Sequence, residues 1–391
     1  MVQKSQKFQF IHSLSAILKE SYKLCDCFLY DGENFINLKY DADCNDLQHK
    51  KWWRTVFKDY RTYFQKRQSK ILFICPGEIG AGHYAHCLPK RLLDVISESI
   101  GQQRIYCIVN NNNSANSFLS DHFLYNNILF CNYWEMHTFL HCKNMKKQPH
   151  YKIFNLKKDY LCSVNKLKIL RLGILLELYQ RNLWKNGFVN LIAHPTIAPQ
   201  SFDYCFSDWQ LDRLIDKTKA AEILSQLPFS HDIPISLYND LQKNWTHGRH
   251  HTPIANVQMT DKQQQFAKYF LSSYCSVVME THDGICQPSD YFFTEKTARP
   301  VYWGHPFILL STPGDLDRFK KQGYETFQNY CDESYDQEID WKKRISKACD
   351  ALQQLIKNKD LKMRDILKHN HNNLEHICNA NLDHFTDILT S

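Results

Sequence analysis

Residues 70–100 read KILFICPGEIGAGHYAHCLPKRLLDVISESI, and their order decides the fold. Five apolar residues, 71–75, run straight into a glycine-rich turn, and a stretch with apolar residues at helical spacing follows. A short unbroken apolar run bounded by glycine predicts a strand buried on both faces. The pattern then repeats. RIYCIVNN at 104–111 and NNILFCNYW at 126–134 are further strand-like runs, separated by helix-length connections. Strands that alternate with helices predict a parallel sheet covered on both sides, a Rossmann-like half over about residues 69–150.

Outward from this half the character changes in both directions. Residues 1–68 read as an N-terminal appendage. CDCFLYDGENFINLKY holds two strand-like runs about Asp31-Gly32, which predicts a hairpin, and a charged, aromatic stretch at helical spacing follows. Beyond residue 150, YLCSVN predicts a strand and LRLGILLELYQRNLWKNG a helix closed by Gly187. After a less regular middle, DKQQQFAKYFLSS predicts a helix. YCSVVMET and HPFILLS then predict strands, and LDRFKKQG a further helix. These elements make a second α/β half over residues 151–335, and residues 336–391 form a tail of helices. The expected architecture is α/β, with two Rossmann-like domains facing a central cleft. Ligands of such sheets sit outside the carboxyl ends of the strands.

Composition narrows the class. A chain of 391 residues with 43% apolar and 23% charged residues predicts a globular protein of two domains. No apolar run approaches the roughly 20 residues needed to cross a bilayer. The first twenty residues lack a continuous apolar core and a small-residue cleavage site, so no signal peptide is read and a cytoplasmic location is expected. The fifteen cysteines form no CxxC pair and are scattered, which predicts reduced, mostly buried thiols rather than a disulfide framework or a structural zinc site. A formal charge of +7 suits an anionic substrate, a nucleotide or a membrane surface alike. Its basic runs, KNMKK, KLK and WKKR (341–344), are short and read as solvated faces.

Two stretches carry candidate chemistry. In the loop 77–83, Gly77, Gly80 and Gly82 let the backbone turn sharply and approach a ligand at a helix N-terminus. The glycine spacing matches neither a Walker A loop nor a dinucleotide fingerprint, and a plain strand-to-helix turn is the alternative. Glu78 and His83 are the titratable groups in that loop, hence the acid/base candidates on the acceptor side, with Glu135 behind them. The second stretch is DYFFTEKTARPVYWGHPF, residues 290–307. Thr294 is positioned to cap a helix whose first turn holds Glu295 and Lys296, and Pro300 requires that helix to be short or kinked. A lysine in a first turn opposes the helix dipole, so local electrostatics does not explain it. Lys296 on a diphosphate and Glu295 on ribose hydroxyls is one reading; a surface ion pair is the other.

DYFFTEK resembles the DYxTEK motif of the fucosyltransferases, inverting enzymes of the two-Rossmann glycosyltransferase class. A wider set of viral and bacterial glycosyltransferase-like proteins is more similar still, with ET at a strand end followed by FFTEKTxKP, PFI, PGxL, GYxTF and DESYD. This chain has Glu280-Thr281, Phe293-Thr294-Glu295-Lys296-Thr297, Pro300, Pro306-Phe307-Ile308, Pro313-Gly314, Gly323-Tyr324-Glu325-Thr326-Phe327 and Asp332-Glu333-Ser334-Tyr335-Asp336. Asn165 and Arg171 match an Asn and an Arg of those families, and KHNHNNLEH is similar to their closing helix. The resemblance spans about residues 157–380. It implies a nucleotide-sugar donor as co-substrate, contacted by Arg171, Glu295 and Lys296, with Asn165, Glu280 and Thr294 in the same donor-binding set.

Such a site needs cationic side chains on the leaving nucleoside diphosphate, and these remove the need for a metal. No DxD motif stands in a suitable loop, since DCND (43–46) and DLD (315–317) fit poorly. WTHGRHH (245–251) reads as an exposed loop, and His369, His371 and His376 as part of a structural helix, rather than as metal sites. The expected function is transfer of a sugar from a nucleotide-sugar to an acceptor hydroxyl on a glycan, protein, lipid or nucleic acid, inverting and independent of metal or other cofactor. The alternative is an inactive relative that binds a nucleotide or glycan. A nucleic-acid-associated protein using the basic tail ranks third.

Overall fold

The computed structural model describes five strands before residue 132, and then residues 156–164, 167–191, 195–196, 199–208, 211, 215–226, 269–280, 294–359 and 362–390. The chain divides into two compact units, residues 1–141 with 376–391, and residues 142–375.

The first unit holds a five-stranded sheet of order β2-β1-β3-β4-β5. Its strands are β1 (Cys27–Tyr30), β2 (Phe35–Leu38), β3 (Ile71–Cys75), β4 (Ile105–Asn110) and β5 (Ile128–Cys131). β3, β4 and β5 are parallel, as their apolar runs and spacing predict. β1 and β2 form the expected hairpin, with Tyr30 opposite Phe35. The hairpin is also a continuation of the sheet, because β1 pairs antiparallel with β3.

The second unit is α/β, with a fully parallel four-stranded sheet of order β7-β6-β8-β9. β6 (Lys158–Val164) leads into helix α1 (Ile169–Gln180) and then to β7 (Gly187–Leu191) on one side. The chain continues through α2 (Pro199–Asp208) and α3 (Lys217–Ser225) and crosses to the other side. There it lays down β8 (Ser273–Met279), α4 (Glu295–Trp303), β9 (Phe307–Leu310) and α5 (Asp315–Lys321). Two helices close the chain, α6 (Trp341–Lys357) and α7 (Met363–Thr390). The strand order reverses between β6 and β8, so a topological switch point lies there.

Burial follows from this layering. Every residue of β8 and of β9 is buried, which is why both read as unbroken apolar runs. α1 is buried nearly all round, and α6 lays a stripe of Ile345, Ala348, Cys349, Leu352 and Leu355 inward at helical spacing. The two helices approach closely at Gly173, where a Cβ would stand 2.3 Å from the Ile345 side chain. Cys162, Cys205, Cys275, Cys331, Cys349 and Cys378 are all buried, as thiols rather than disulfides. Among the described residues no helix is long and apolar enough to cross a membrane.

One boundary differs from the sequence reading. α1 ends at Gln180 rather than at Gly187, and Asn182, at φ 58°, takes the left-handed position. Its N–H bonds Tyr179 O and that of Leu183 bonds Leu178 O, the paired closure of a Schellman motif. Gly187 instead opens β7 opposite Tyr160, where a Cβ would meet the tyrosine ring at 2.2 Å. The buried Tyr160 hydroxyl donates to Leu183 O at 3.2 Å, so the strand β7 that the sequence reading missed is seated on that ring.

Candidate functional site

The switch point is furnished by two helix N-termini. α1 follows β6 and starts without a side-chain cap or an acidic residue in its first turn. Its third residue is Arg171, a cation where the dipole disfavours one. Arg171 is 6% exposed, and its Nη2 donates to the backbone carbonyl of Glu280 at 3.0 Å. Glu280 directly follows β8, so this bond ties the first turn of α1 to the carboxyl end of the neighbouring strand.

Glu280 is the hub of the site. Its N–H donates to Leu310 O at 2.9 Å, extending the β8–β9 ladder. Its carboxylate, 2% exposed, accepts from Thr294 N at 3.0 Å, from Thr294 Oγ1 at 2.6 Å and from Thr297 Oγ1 at 2.5 Å. Burying a carboxylate is costly unless it is hydrogen-bonded, and these three donors offset that cost. They also join the point where the chain leaves β8 to the point where it returns at α4.

Thr294 caps α4 as the sequence predicts, accepting from Lys296 N at 3.2 Å and from Lys296 Nζ at 3.0 Å. Pro300 does not end the helix, which runs on to Trp303. Gly304, at φ 61°, closes it with bonds from Gly304 N to Val301 O and from His305 N to Pro300 O. The His305 ring then pins this end to β8. Ser273 O can only accept, so Nε2 donates to it at 2.8 Å and Nδ1 accepts from Ser276 Oγ at 2.6 Å. Burial pushes the His305 pKa down to about 4, so the ring is neutral and structural.

Arg171, Glu280, Thr294 and Lys296 are thus brought together, and Thr297, which the sequence reading passed over, belongs with them. Its signal was the three-residue spacing from Thr294, which puts both hydroxyls on one helix face. Glu295 is the first residue of α4, and its side chain lies outside the described residues. Asn165, the loop residues Gly77, Glu78, Gly80, Gly82 and His83, Glu135, and the histidines of 245–251 also lie outside them. His369 and His376 are exposed on α7, and His371 packs edge-on against Tyr302 with ring centroids 5.2 Å apart. Among the described residues no group of three or more His, Cys, Asp or Glu could hold a metal ion.

The rest of the motif run, residues 306–336, builds a brace. β9 is an edge strand, and its Leu309 N–H finds the Tyr335 hydroxyl at 3.1 Å. Asp336 Oδ2 accepts from Leu316 N at 3.2 Å, satisfying the N-terminus of α5, and its Oδ1 lies 3.5 Å from Arg344 Nη2. Arg344, the last residue of WKKR, is therefore buried at 2% exposure rather than on a solvated face. Asp315 accepts from Ser311 Oγ, from Thr312 N at 3.0 Å and from Arg318 Nη1 at 2.9 Å. Burial pushes Asp315 up to about 7 and Asp336 to about 6. Glu333 gathers Phe327 N at 2.7 Å and Thr326 Oγ1 at 2.8 Å, while Asn370 of α7 clasps the backbone of Glu325 through both its amide atoms. GYETF and DESYD thus meet each other.

Compared with models of protein families, with curated proteins and with solved structures, the chain matches none.

Proposed function

We propose that the protein is a glycosyltransferase of the two-Rossmann type, with a nucleotide-sugar donor held by residues 151–335 and an acceptor hydroxyl presented by residues 69–150. The observation that carries the reading is that Arg171 and Lys296 both converge on Glu280 beside the switch point of the parallel sheet, the first directly at its carbonyl and the second through Thr294, each from the first turn of a helix that follows a strand. Parallel sheets receive ligands there, and two helix N-termini with two cations suit a diphosphate. As the glycosidic bond breaks, negative charge grows on the leaving nucleoside diphosphate, and Arg171 and Lys296 stabilise it without a metal. Inversion follows from one displacement, with Glu78 or His83 taking the acceptor proton.

One observation favours a second reading, an inactive module that binds a nucleotide or glycan. The one carboxylate described at the site is engaged in structure, Glu280 accepting from Thr294 and Thr297. It does not serve as a base. Thermal-shift screening against UDP, GDP, CMP and their sugars tests the common part, and a stabilising ligand whose effect disappears in Lys296→Ala is expected. No shift with any of them overturns the enzyme and the nucleotide-binding module alike. Release of free sugar from the bound donor, followed by NMR, then separates the enzyme from the module.

A further inference from the structure

The direction of the hydrogen bonds at Thr294 is forced by its neighbours. A hydroxyl has one proton to donate and two lone pairs to accept with. The Lys296 backbone N–H at 3.2 Å and the Lys296 ammonium at 3.0 Å can only donate. The Thr294 proton therefore points to Glu280 Oε2 at 2.6 Å. The other carboxylate oxygen accepts from Thr294 N and from Thr297 Oγ1. Glu280, Thr294 and Thr297 are all buried, at 2%, 0% and 1% exposure, while Lys296 is half-buried.

We propose that Glu280 and Thr294 are positioning residues for Lys296: the one-way chain from Lys296 Nζ through Thr294 Oγ1 to Glu280 Oε2 holds the ammonium at the first turn of α4, ready for a diphosphate. Thr297 steadies the carboxylate from its other oxygen. The diphosphate rests on the donor-site reading above; the hold on Lys296 rests on the geometry alone. A lysine stem has four rotatable bonds, and the helix dipole drives its charge away from an N-terminus. Holding it in place before the ligand arrives removes an ordering cost from binding.

The carboxylate cannot be replaced by its amide without conflict. If the Gln oxygen meets the Thr294 hydroxyl, the amide NH2 confronts Thr294 N–H. If the oxygen meets Thr294 N–H instead, the NH2 confronts the hydroxyl, which turns round and leaves three donors for two lone pairs. The first arrangement leaves the buried Thr294 N–H facing a donor, and the second costs Lys296 its bond to Thr294 or opens the cap.

The test uses the full chain and two readouts. In the first, inorganic pyrophosphate, UDP and GDP are titrated calorimetrically. Glu280→Gln and Thr294→Val are expected to bind about tenfold more weakly than the unmodified chain, Thr294→Ser to restore binding, and Thr297→Val to lose less than Thr294→Val. In the second, competitive acylation of lysines is followed by mass spectrometry, with the exposed Lys368 as internal reference. Acylation of Lys296 is expected to rise several-fold in Glu280→Gln and Thr294→Val and to return to the starting value in Thr294→Ser. Unchanged Lys296 acylation in both variants overturns the proposal, as does a loss in Thr297→Val equal to that in Thr294→Val. If no ligand binds the unmodified chain while Lys296 acylation still responds, the donor-site reading fails and the hold stands. Should Glu280→Gln not fold, the Thr294→Val and Thr294→Ser pair carries the comparison.

Discussion

Glu280 faces two hydroxyls and a backbone N–H, whereas Asp315 and Asp336 crowd the N-terminus of α5 with Arg318 and Arg344 beside them. Both clusters are buried carboxylates within one run of sequence. In the first, neutral donors satisfy the acid and a cation stands one hydroxyl away, half-exposed. In the second, acids and arginines answer one another and the edge strand β9 is tied down through Tyr335. On the proposed reading, the first cluster offers its charge to a ligand and the second keeps its charge within the brace. A motif run that looks uniform along the chain therefore divides into two jobs.

The largest effect expected from breaking this contrast is at Arg344. Arg344→Ala leaves Asp336 buried without its cation and should cost about 3–5 kcal/mol in urea unfolding. Nucleotide affinity of the folded fraction should be unchanged, because the brace holds no ligand. An affinity loss at Arg344 without a stability loss would erase the distinction. Lys296→Ala is the mirror case, with ligand binding lost and stability changed by no more than about 0.5 kcal/mol.

The brace should also carry a pH signature of its own. Asp315 and Asp336 have folded pKa values of about 7 and about 6, raised by burial above the ordinary value of 3.8. The folded state therefore holds protons more tightly, and this stabilisation is complete below about pH 4 and lost as pH rises through about 6 to 7. Between about pH 5 and about pH 7.5 the unmodified chain should lose more stability than Asp315→Asn does, measured as urea midpoints across that range. An equal slope in the two would show that burial does not hold the proton. The smallest effect belongs to the rim of the brace. Lys320 Nζ lies 3.3 Å from Glu333 Oε2 near the surface, and Lys320→Ala should move stability by about 0.5 kcal/mol or less.

Much of the second unit was legible. β6, β8 and β9 declare themselves as apolar runs, and Thr294 before Glu295-Lys296 declares a cap. β7 was hidden because the apolar period of α1 was read through to Gly187, although Asn182 tolerates the left-handed turn that ends the helix at Gln180. Arg344 was misread from its basic neighbours. Its spacing to Ala348, Ala351 and Leu355 puts it on the buried stripe of α6, a signal that composition overrode. Thr297 had the right spacing and no visible partner, since Glu280 stands 17 positions earlier.

By itself, then, the sequence determined the elements whose cause is local: the parallel strands, the cap at Thr294, and a lysine in a first turn where the helix dipole resists it. Only the tertiary structure decided what the cations and acids meet. Strand order brings β6 and β8 side by side, so Arg171 reaches Glu280 from 109 positions away, and burial makes each acid find donors wherever the packing supplies them. Hydrogen bonds between distant segments leave no period in a sequence, and it is those bonds that turned one motif run into a site and a brace.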